Sequence, residues 1–220
     1  MIRDTYKALF ADKAQFTSLI REVVTKGYIT LPHFFDDESE QKFLGLRDVI
    51  GPKNLKGELL AGTFANEVRL SDEIFEMCEL IYKTRCEVTG MKYTPLLREK
   101  QSVGIAYKNA QNTAQNKETE FHYDAAYINI VIPVQLPPKD EGGDGDLIAF
   151  PNLRKKYPSI VCSIISEVLR RSAWARKQFG FTTVSYSVGT LHLFFGDVSL
   201  HGVPPIRQGE RMIMTINSHW

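Results

Sequence analysis

The chain has 220 residues, of which 43% are hydrophobic and 24% are charged, proportions that are ordinary for a soluble globular protein. Its 27 basic residues nearly balance its 26 acidic ones, and a net charge of +1 argues against nucleic-acid binding by bulk electrostatics and against a polybasic membrane anchor. No apolar run reaches the roughly 18–20 residues of a membrane span, and the charged N-terminus argues against a signal peptide. The three cysteines are odd in number and show neither C-x-x-C nor zinc-ribbon spacing, so we expect reduced thiols in a cytoplasmic protein.

The first 95 residues are predicted to be mostly helical, because their apolar side chains recur at helical spacing. The predicted elements are a helix over Lys13–Lys26, a strand over Tyr28–Leu31, a helix from Asp36 or Asp37 to about Val49, and a helix capped by Ser71. This part of the chain is expected to support a core formed by the residues that follow it.

From about Leu96 the apolar period changes from 3.6 to 2, which is typical of strands. A polar loop over Asn109–Thr119, a turn at Gly142–Gly145 and a helical insertion near 159–179 interrupt this pattern. The predicted strand regions are Ser102–Tyr107, Phe121–Leu136, Asp146–Phe150, Thr182–Ser187, Leu191–Phe195 and Met212–Asn217. The order predicts one domain over 1–220, mainly β with supporting helices, whose core over 96–220 is a double-stranded β-helix, the cupin-like jelly roll.

Two histidines and one aspartate form the leading candidate for a metal site. His122 and Asp124 are separated by one residue, a spacing that places both side chains on one face at the end of a strand. His201 lies 77 residues beyond Asp124 in a turn-rich segment. Two imidazoles and one carboxylate on a β scaffold are the facial triad that holds non-haem Fe(II) and leaves three adjacent positions open for O2 and a bidentate co-substrate.

Arg211 lies ten residues after His201, at the start of the last predicted strand. A dicarboxylate co-substrate needs a cation for its far end. A planar guanidinium on a rigid strand suits bidentate binding of a carboxylate. Arg211 is therefore the candidate for this contact.

The order His122-x-Asp124, then His201, then Arg211 resembles the H-x-D…H…R signature of the Fe(II)/2-oxoglutarate-dependent oxygenases. Other segments are similar to those of small hydroxylases in this superfamily. They are Gly27–Phe35, which resembles the early strand and helix start, Gly143–Phe150, which resembles the strand after the first metal segment, and His201–Pro205 with Gly209–Arg211, which resemble the segment of the second histidine and the arginine.

The resemblance implies a jelly-roll enzyme that binds Fe(II) through His122, Asp124 and His201, with 2-oxoglutarate as co-substrate and O2 as oxidant. It implies hydroxylation of a C–H bond with release of succinate and CO2. Halogenating members of the family have a small residue where Asp124 stands, so the carboxylate favours hydroxylation. The compact chain favours a small-molecule substrate, a free amino acid or a natural-product intermediate, with no nucleic-acid or membrane partner; the oligomeric state stays open.

Further residues are candidates for the walls of the site. Tyr107 lies on the strand that enters the metal loop, where similar enzymes often use a tyrosine on the co-substrate, and Asn129 is a polar residue in an apolar run. Both are expected to bind 2-oxoglutarate. Thr215 and Asn217 share a face with Arg211 by the period of two and are candidates for substrate binding, as is Trp220 at the end of the chain.

Alternatives remain open at this stage. His192, Asp197 and His201 also offer two histidines and a carboxylate, although a short hairpin rarely spans three corners of an octahedron. The jelly roll could bind a metal or ligand without turnover, or the oxygenase could act on a peptide or protein side chain. The polar loop Asn109–Thr119 is a candidate lid, with a plain solvated loop as the alternative.

Overall fold

Two antiparallel sheets form the centre of the fold. The computed structural model describes residues 1–51, 53–112, 121–138 and 145–219. The strands in chain order are β1 (Tyr28–Leu31), β2 (Leu55–Lys56), β3 (Ser102–Asn109), β4 (Ile128–Gln135), β5 (Leu147–Phe150), β6 (Thr182–Val184), β7 (Leu191–Phe194), β8 (Leu200–Gly202) and β9 (Glu210–Ser218). The larger sheet has the order β1-β7-β4-β9-β3-β2, and the smaller has the order β6-β5-β8.

Helices cover the outer faces of both sheets. The helices in chain order are α1 (Asp4–Ala11), α2 (Lys13–Lys26), α3 (Asp37–Leu44), α4 (Leu46–Ile50), α5 (Phe64–Leu70), α6 (Asp72–Thr89), α7 (Leu153–Lys156), α8 (Ser159–Arg171) and α9 (Ala173–Phe179). Short 3-10 turns lie at Gly57–Leu60 and Arg98–Lys100. Helices α2, α3, α5 and α6 share one apolar core with the larger sheet, and α7–α9 share another with the smaller sheet.

The period of two in β4 separates the two faces of the larger sheet. Ile128, Ile130 and Ile132 pack in the core shared with the helices, whereas Val131 faces the other way. Val131 packs in a cluster with side chains of both sheets, and this cluster fills the space between them. The mainly β fold with a jelly-roll core is therefore confirmed.

The predicted helices are right where their end signals are strong. Helix α2 spans Lys13–Lys26, as predicted; Asp12 caps its first turn and Gly27 ends it at φ 94°. The helix predicted from Asp36 or Asp37 to Val49 divides into α3 and α4, because Gly45 lies between them. The insertion near 159–179 also divides, into α8 and α9, and Ser172 caps the second helix.

The strand predicted over Phe121–Leu136 is shorter in the structure. Regular pairing begins only at Ile128, and before it a single bridge joins His122 to His201. This bridge adds one residue to the edge of the smaller sheet beside β8. The segment before β4 is therefore free of regular ladder geometry, and its side chains take the positions described below.

Candidate metal centre and anion site

Three side chains with metal-binding atoms converge at this edge of the smaller sheet. His122 Nε2 lies 3.2 Å from Asp124 Oδ1, and His201 Nε2 lies 3.2 Å from Asp124 Oδ2. One such atom from each residue lies within 4.8 Å of the others. Among the residues that the structure describes, no other group of three or more His, Cys, Asp or Glu side chains meets in this way.

Backbone hydrogen bonds hold the two histidines side by side. The His122 N–H donates to the His201 carbonyl at 2.9 Å, and the His201 N–H donates to the His122 carbonyl at 3.0 Å. Alternate side chains of an extended segment face opposite sides, so Tyr123 points away from the pair. Its hydroxyl lies 2.9 Å from Ser166 Oγ on α8. The alternation thus places His122 and Asp124 on the inner side.

The tautomer of His201 follows from its second ring nitrogen. His201 Nδ1 lies 3.0 Å from the Ser199 carbonyl, which only accepts hydrogen bonds, so Nδ1 carries the proton. In the neutral ring Nε2 is then an acceptor that faces the Asp124 carboxylate, another acceptor. A metal cation bound between the two atoms satisfies both. A backbone carbonyl on the other nitrogen is the usual partner of a metal-binding histidine.

Asp124 is an anion in this setting. Burial acts to raise the pKa of Asp124, but the hydrogen bonds and charge interactions that His122 and His201 make when both of their ring nitrogens are protonated outweigh it and lower the pKa. Its backbone N–H donates to the Gly196 carbonyl at 3.1 Å. The donor set, two imidazoles and one carboxylate, fits Fe(II) and agrees with the predicted triad.

Asn129 supports this segment. Its Oδ1 accepts from the Gly196 N–H at 2.9 Å, and its Nδ2 donates to Asn217 Oδ1 at 3.0 Å. The side chain is 2% exposed and lies on the inner face of β4. One amide hydrogen is left by these bonds, and the expected contact of Asn129 with 2-oxoglutarate stays a prediction.

Arg211 forms a second feature of the inner face. The residue is 3% exposed, and its Nε and Nη2 have no hydrogen-bond partner within the described part of the chain. Its guanidinium carbon lies 5.4 Å from the centroid of the Tyr186 ring, whose hydroxyl accepts a hydrogen bond from it. Burial lowers the pKa of Arg211, and Tyr186 opposes this shift. A buried guanidinium with unused donors indicates a site for an anion.

Tyr186 was not singled out from the sequence. Burial raises the pKa of its hydroxyl to about 12, so the group keeps its proton and remains a hydrogen-bond donor. Its ring packs edge-on against His192 at a centroid distance of 4.7 Å. The sequence did contain a signal for it. Val184 lies on the inner face of β6, and because side chains alternate along a strand, Tyr186, two residues later, faces the same side.

The structure contradicts the predicted role of Tyr107. This residue is paired with Met212, the neighbour of Arg211, and both pack in the helix-facing core. Its side chain therefore lies on the opposite face of the sheet from Arg211. The hydroxyl donates to Glu210 Oε1 at 2.6 Å on that outer face. Because the sheet lies between the two side chains, Tyr107 does not share a binding space with Arg211.

Of the three residues expected to contact the substrate, the structure describes two. Thr215 and Asn217 share the face of Arg211 on β9, as the period of two predicts, and each is half-buried. Their role toward a substrate stays a prediction. Trp220 and residues 113–119 of the candidate lid lie outside the described residues.

The competing constellation is not formed. Asp197 Oδ2 accepts from Arg85 Nη2 at 2.8 Å, and that guanidinium is fully buried. His192 packs instead against the ring of Tyr186. The hypothesis of a metal site at His192, Asp197 and His201 is therefore wrong, because its carboxylate is held by a cation from α6.

No protein-family model matches the chain, and no curated protein matches its sequence. Solved structures do match, at low identity. A prolyl 4-hydroxylase from Phytophthora capsici is 15% identical with a TM-score of 0.61, over 92% of this chain and 61% of the other, so this chain spans less than two thirds of that protein. AviO1 from Streptomyces viridochromogenes is 12% identical with a TM-score of 0.61, over 92% and 94% of the two chains.

A third structure has a described cofactor dependence. The non-heme alpha ketoglutarate dependent epimerase SnoN from nogalamycin biosynthesis is 12% identical with a TM-score of 0.61, over 94% of this chain and 84% of its own. At these identities the likeness concerns the fold, which is the fold implied by the sequence resemblance. Within the described residues, helices long and apolar enough to span a bilayer are absent.

Proposed function

We propose that this protein is a non-haem Fe(II)- and 2-oxoglutarate-dependent oxygenase that hydroxylates a small molecule, with release of succinate and CO2. The observation that carries the proposal is the pairing of two binding features in one jelly roll. One is the triad of His122, Asp124 and His201; the other is the buried Arg211 guanidinium with unused donors. A metal cation satisfies the first and a carboxylate satisfies the second.

The triad is suited to hold iron at one face and leave the other face open. His201 Nε2 offers a lone pair because Ser199 fixes the proton on Nδ1, and Asp124 supplies negative charge. Fe(II) held there would supply the activation of O2 and of the 2-keto acid end of the co-substrate. The residues themselves contribute orientation and charge.

Arg211 and Tyr186 are suited to hold the distal carboxylate of 2-oxoglutarate. The Nε and Nη2 nitrogens of Arg211 have no acceptor among the described residues, and the Tyr186 hydroxyl keeps its proton. Together they offer charge-assisted hydrogen bonds in a dry environment, where such bonds are strong. Thr215 and Asn217, on the same face of β9, would contact the substrate.

The reaction outcome is the less constrained part of the proposal. The matching structures include a prolyl 4-hydroxylase and an epimerase, so the fold is used for more than one reaction. In this proposal the Asp124 carboxylate supplies the third metal ligand, and its presence favours hydroxylation. The half-buried Thr215 and Asn217 suit a small polar substrate rather than a long chain.

The test is an anaerobic titration of the protein with Fe(II) and 2-oxoglutarate, followed in the visible. Bidentate binding of the keto acid to Fe(II) should give a weak charge-transfer band that is lost in His122→Ala, Asp124→Ala and His201→Ala. His33→Asn is the matched control, because His33 is exposed, contacts Glu40 and has a positive φ that asparagine tolerates. Iron binding without the band, or a band that survives Asp124→Ala, would overturn the proposal.

A further inference from the structure

Exposed apolar side chains concentrate on one part of the surface. Residues of this kind on and around α8 and α9 form what we name the α8–α9 patch. Its members are Tyr157, Ile160, Val161, Ile164, Val168, Trp174, Phe179 and Phe181. Ile160 is 76% exposed and Trp174 is 72% exposed, and the grouping of such side chains on two neighbouring helices, rather than the exposure of any one of them, is what marks a contact surface.

Helix α8 exposes one apolar ridge to solvent. Ile160, Ile164 and Val168 recur every four residues and form one exposed ridge. Cys162 and Ser166 face inward, where Tyr123 contacts both. Leu169 is buried and Ile165 packs against the same apolar cluster, so α8 carries apolar side chains on its solvent side in addition to those that pack on the core.

The patch is embedded in positive charge. Residues 152–180 contain seven lysines and arginines and one acidic residue, a net charge of +6, whereas the rest of the chain carries 20 basic and 25 acidic residues, a net charge of −5. Most of these cations are exposed; Arg171, which continues the ridge of α8, is 81% exposed. The overall charge of +1 conceals this asymmetry.

We propose that the α8–α9 patch binds an anionic membrane surface. An outward apolar ridge flanked by Lys and Arg, with Trp, Tyr and Phe beside it, is the composition of helices that lie in the bilayer interface. The anionic surface attracts the basic side chains, and the ridge enters the boundary between headgroups and acyl chains. A symmetric contact between the patches of two copies does not fit, because it would bring two regions of net charge +6 together.

The patch is connected to the candidate metal centre. Arg170, at the end of α8, donates to the Phe121 carbonyl at 2.7 Å, and Tyr123 contacts α8. The segment that carries His122 and Asp124 therefore lies on the inner side of the membrane-binding helix. The inference stands on the surface alone and does not depend on the proposed function.

The experiment is sedimentation of the full chain with vesicles of phosphatidylcholine that contain phosphatidylglycerol, compared with vesicles of phosphatidylcholine alone. We expect binding to the anionic vesicles, weakened by salt, with a blue shift of tryptophan emission that is reduced in Trp174→Phe. Ile164→Glu should reduce the bound fraction at least tenfold. Val49→Glu is its control, because Val49 is 68% exposed on α4, away from the patch.

A second pair of variants tests the charge. Arg171→Glu should weaken binding several-fold, while Arg21→Glu, the same change at an exposed position of α2, should leave it unchanged. Circular dichroism establishes that each variant is folded. Failure to bind anionic vesicles would overturn the proposal and favour an acidic protein as the partner. Equal binding of Ile164→Glu and Val49→Glu would overturn it by showing that the contact with the vesicle lies outside the patch. Loss of a dimer in Ile164→Glu without vesicle binding would overturn it in favour of self-association.

Discussion

The position of the Asp124 carboxylate depends on a neighbour without a side chain. A Cβ atom at Gly196 would lie 2.4 Å from Asp124 Oδ2 and 2.7 Å from Asn129 Oδ1. The backbone of Gly196 bonds to both residues, accepting from Asp124 N–H and donating to Asn129 Oδ1. Only glycine allows the two side chains to approach the same peptide from both sides.

Gly196→Ala should therefore weaken metal binding by roughly 10–100-fold, the cost typical of disturbing the groups that orient metal ligands. The added methyl group has to displace the carboxylate, so the affinity for Mn(II), measured by isothermal titration calorimetry, should fall. Gly45→Ala is the control, because a Cβ there meets only helix carbonyl oxygens at 3.5 Å. Equal affinities of the two variants would show that Asp124 is not a ligand in this position.

Replacing Arg211 should raise the stability of the protein and lower its affinity for 2-oxoglutarate. Arg211→Met removes a buried charge with unused donors, so the protein without ligand should gain roughly 1 kcal/mol of unfolding free energy. The same change should weaken 2-oxoglutarate binding by roughly 2 kcal/mol or more, about 30-fold, because the carboxylate loses its cation. Urea denaturation and anaerobic titration measure the two effects. A variant that loses stability and keeps its 2-oxoglutarate affinity would contradict the role of Arg211.

The sequence predicted which face a side chain occupies where that depends only on spacing within one segment. The H-x-D spacing gave His122 and Asp124 a common face, and the period of two gave Thr215 the face of Arg211. It failed for Tyr107, because the face of a residue relative to its neighbour strand depends on the register. Tyr107 pairs with Met212, and this register depends on contacts between distant parts of the chain.

At the scale of elements, local signals set the ends of helices but not their continuity. The Asp12 cap and Gly27 fixed α2, whereas apolar spacing alone could not show that Gly45 would divide α3 from α4. The segment 121–127 has the composition of a strand, yet only His122 forms a bridge. Its departure from regular pairing places His122 and Asp124 at the site, and such departures are typical of functional segments.

Helix α6 stabilises the candidate metal centre through the buried side chain of Arg85. Arg85 donates to the Tyr127 carbonyl at 2.7 Å and to Asp197 Oδ2 at 2.8 Å, and its guanidinium carbon lies 4.1 Å from the centroid of the Phe195 ring. Tyr127 lies three residues after Asp124 in the chain, and Asp197 lies directly after Gly196. The helix thus holds both segments that meet at the Asp124 carboxylate.

Arg85→Met should lower the free energy of unfolding by roughly 3–5 kcal/mol, because the Asp197 carboxylate, only 16% exposed, is left without its cation. Urea denaturation measures this loss. Arg21→Met on the exposed side of α2 is the matched control and should change stability by less than about 0.5 kcal/mol. Asp197→Asn in the Arg85→Met background should recover part of the loss, and no recovery would show that the charge is not its cause.

At the scale of the whole molecule, different helices cover the two sheets on their solvent sides. The candidate metal centre lies where segments of the two sheets meet. Apolar periodicity predicted the two-sheet core, since each strand has to bury one face. The net charge of +6 over residues 152–180 can be counted in the sequence, but the periodicity could not predict that the apolar ridge of α8 faces solvent, or that this helix packs beside the bridge at His122, because both depend on contacts between distant parts of the chain. The composition of the whole chain averages this asymmetry away.

Metal binding should stabilise the whole fold, because its ligands join the irregular segment at His122 to β8. A ligand that binds only the folded state at about 100 times its Kd adds roughly 2.7 kcal/mol, and for a chain of this length each kcal/mol raises Tm by about 2–4 °C. Mn(II) should therefore raise Tm by roughly 5–11 °C in a thermal scan. Asp124→Ala should abolish the shift, while Asp197→Asn, whose carboxylate belongs to Arg85, should retain it even though its starting Tm is lower. A shift that persists in Asp124→Ala would place the metal elsewhere, since no carboxylate would then join the two histidines.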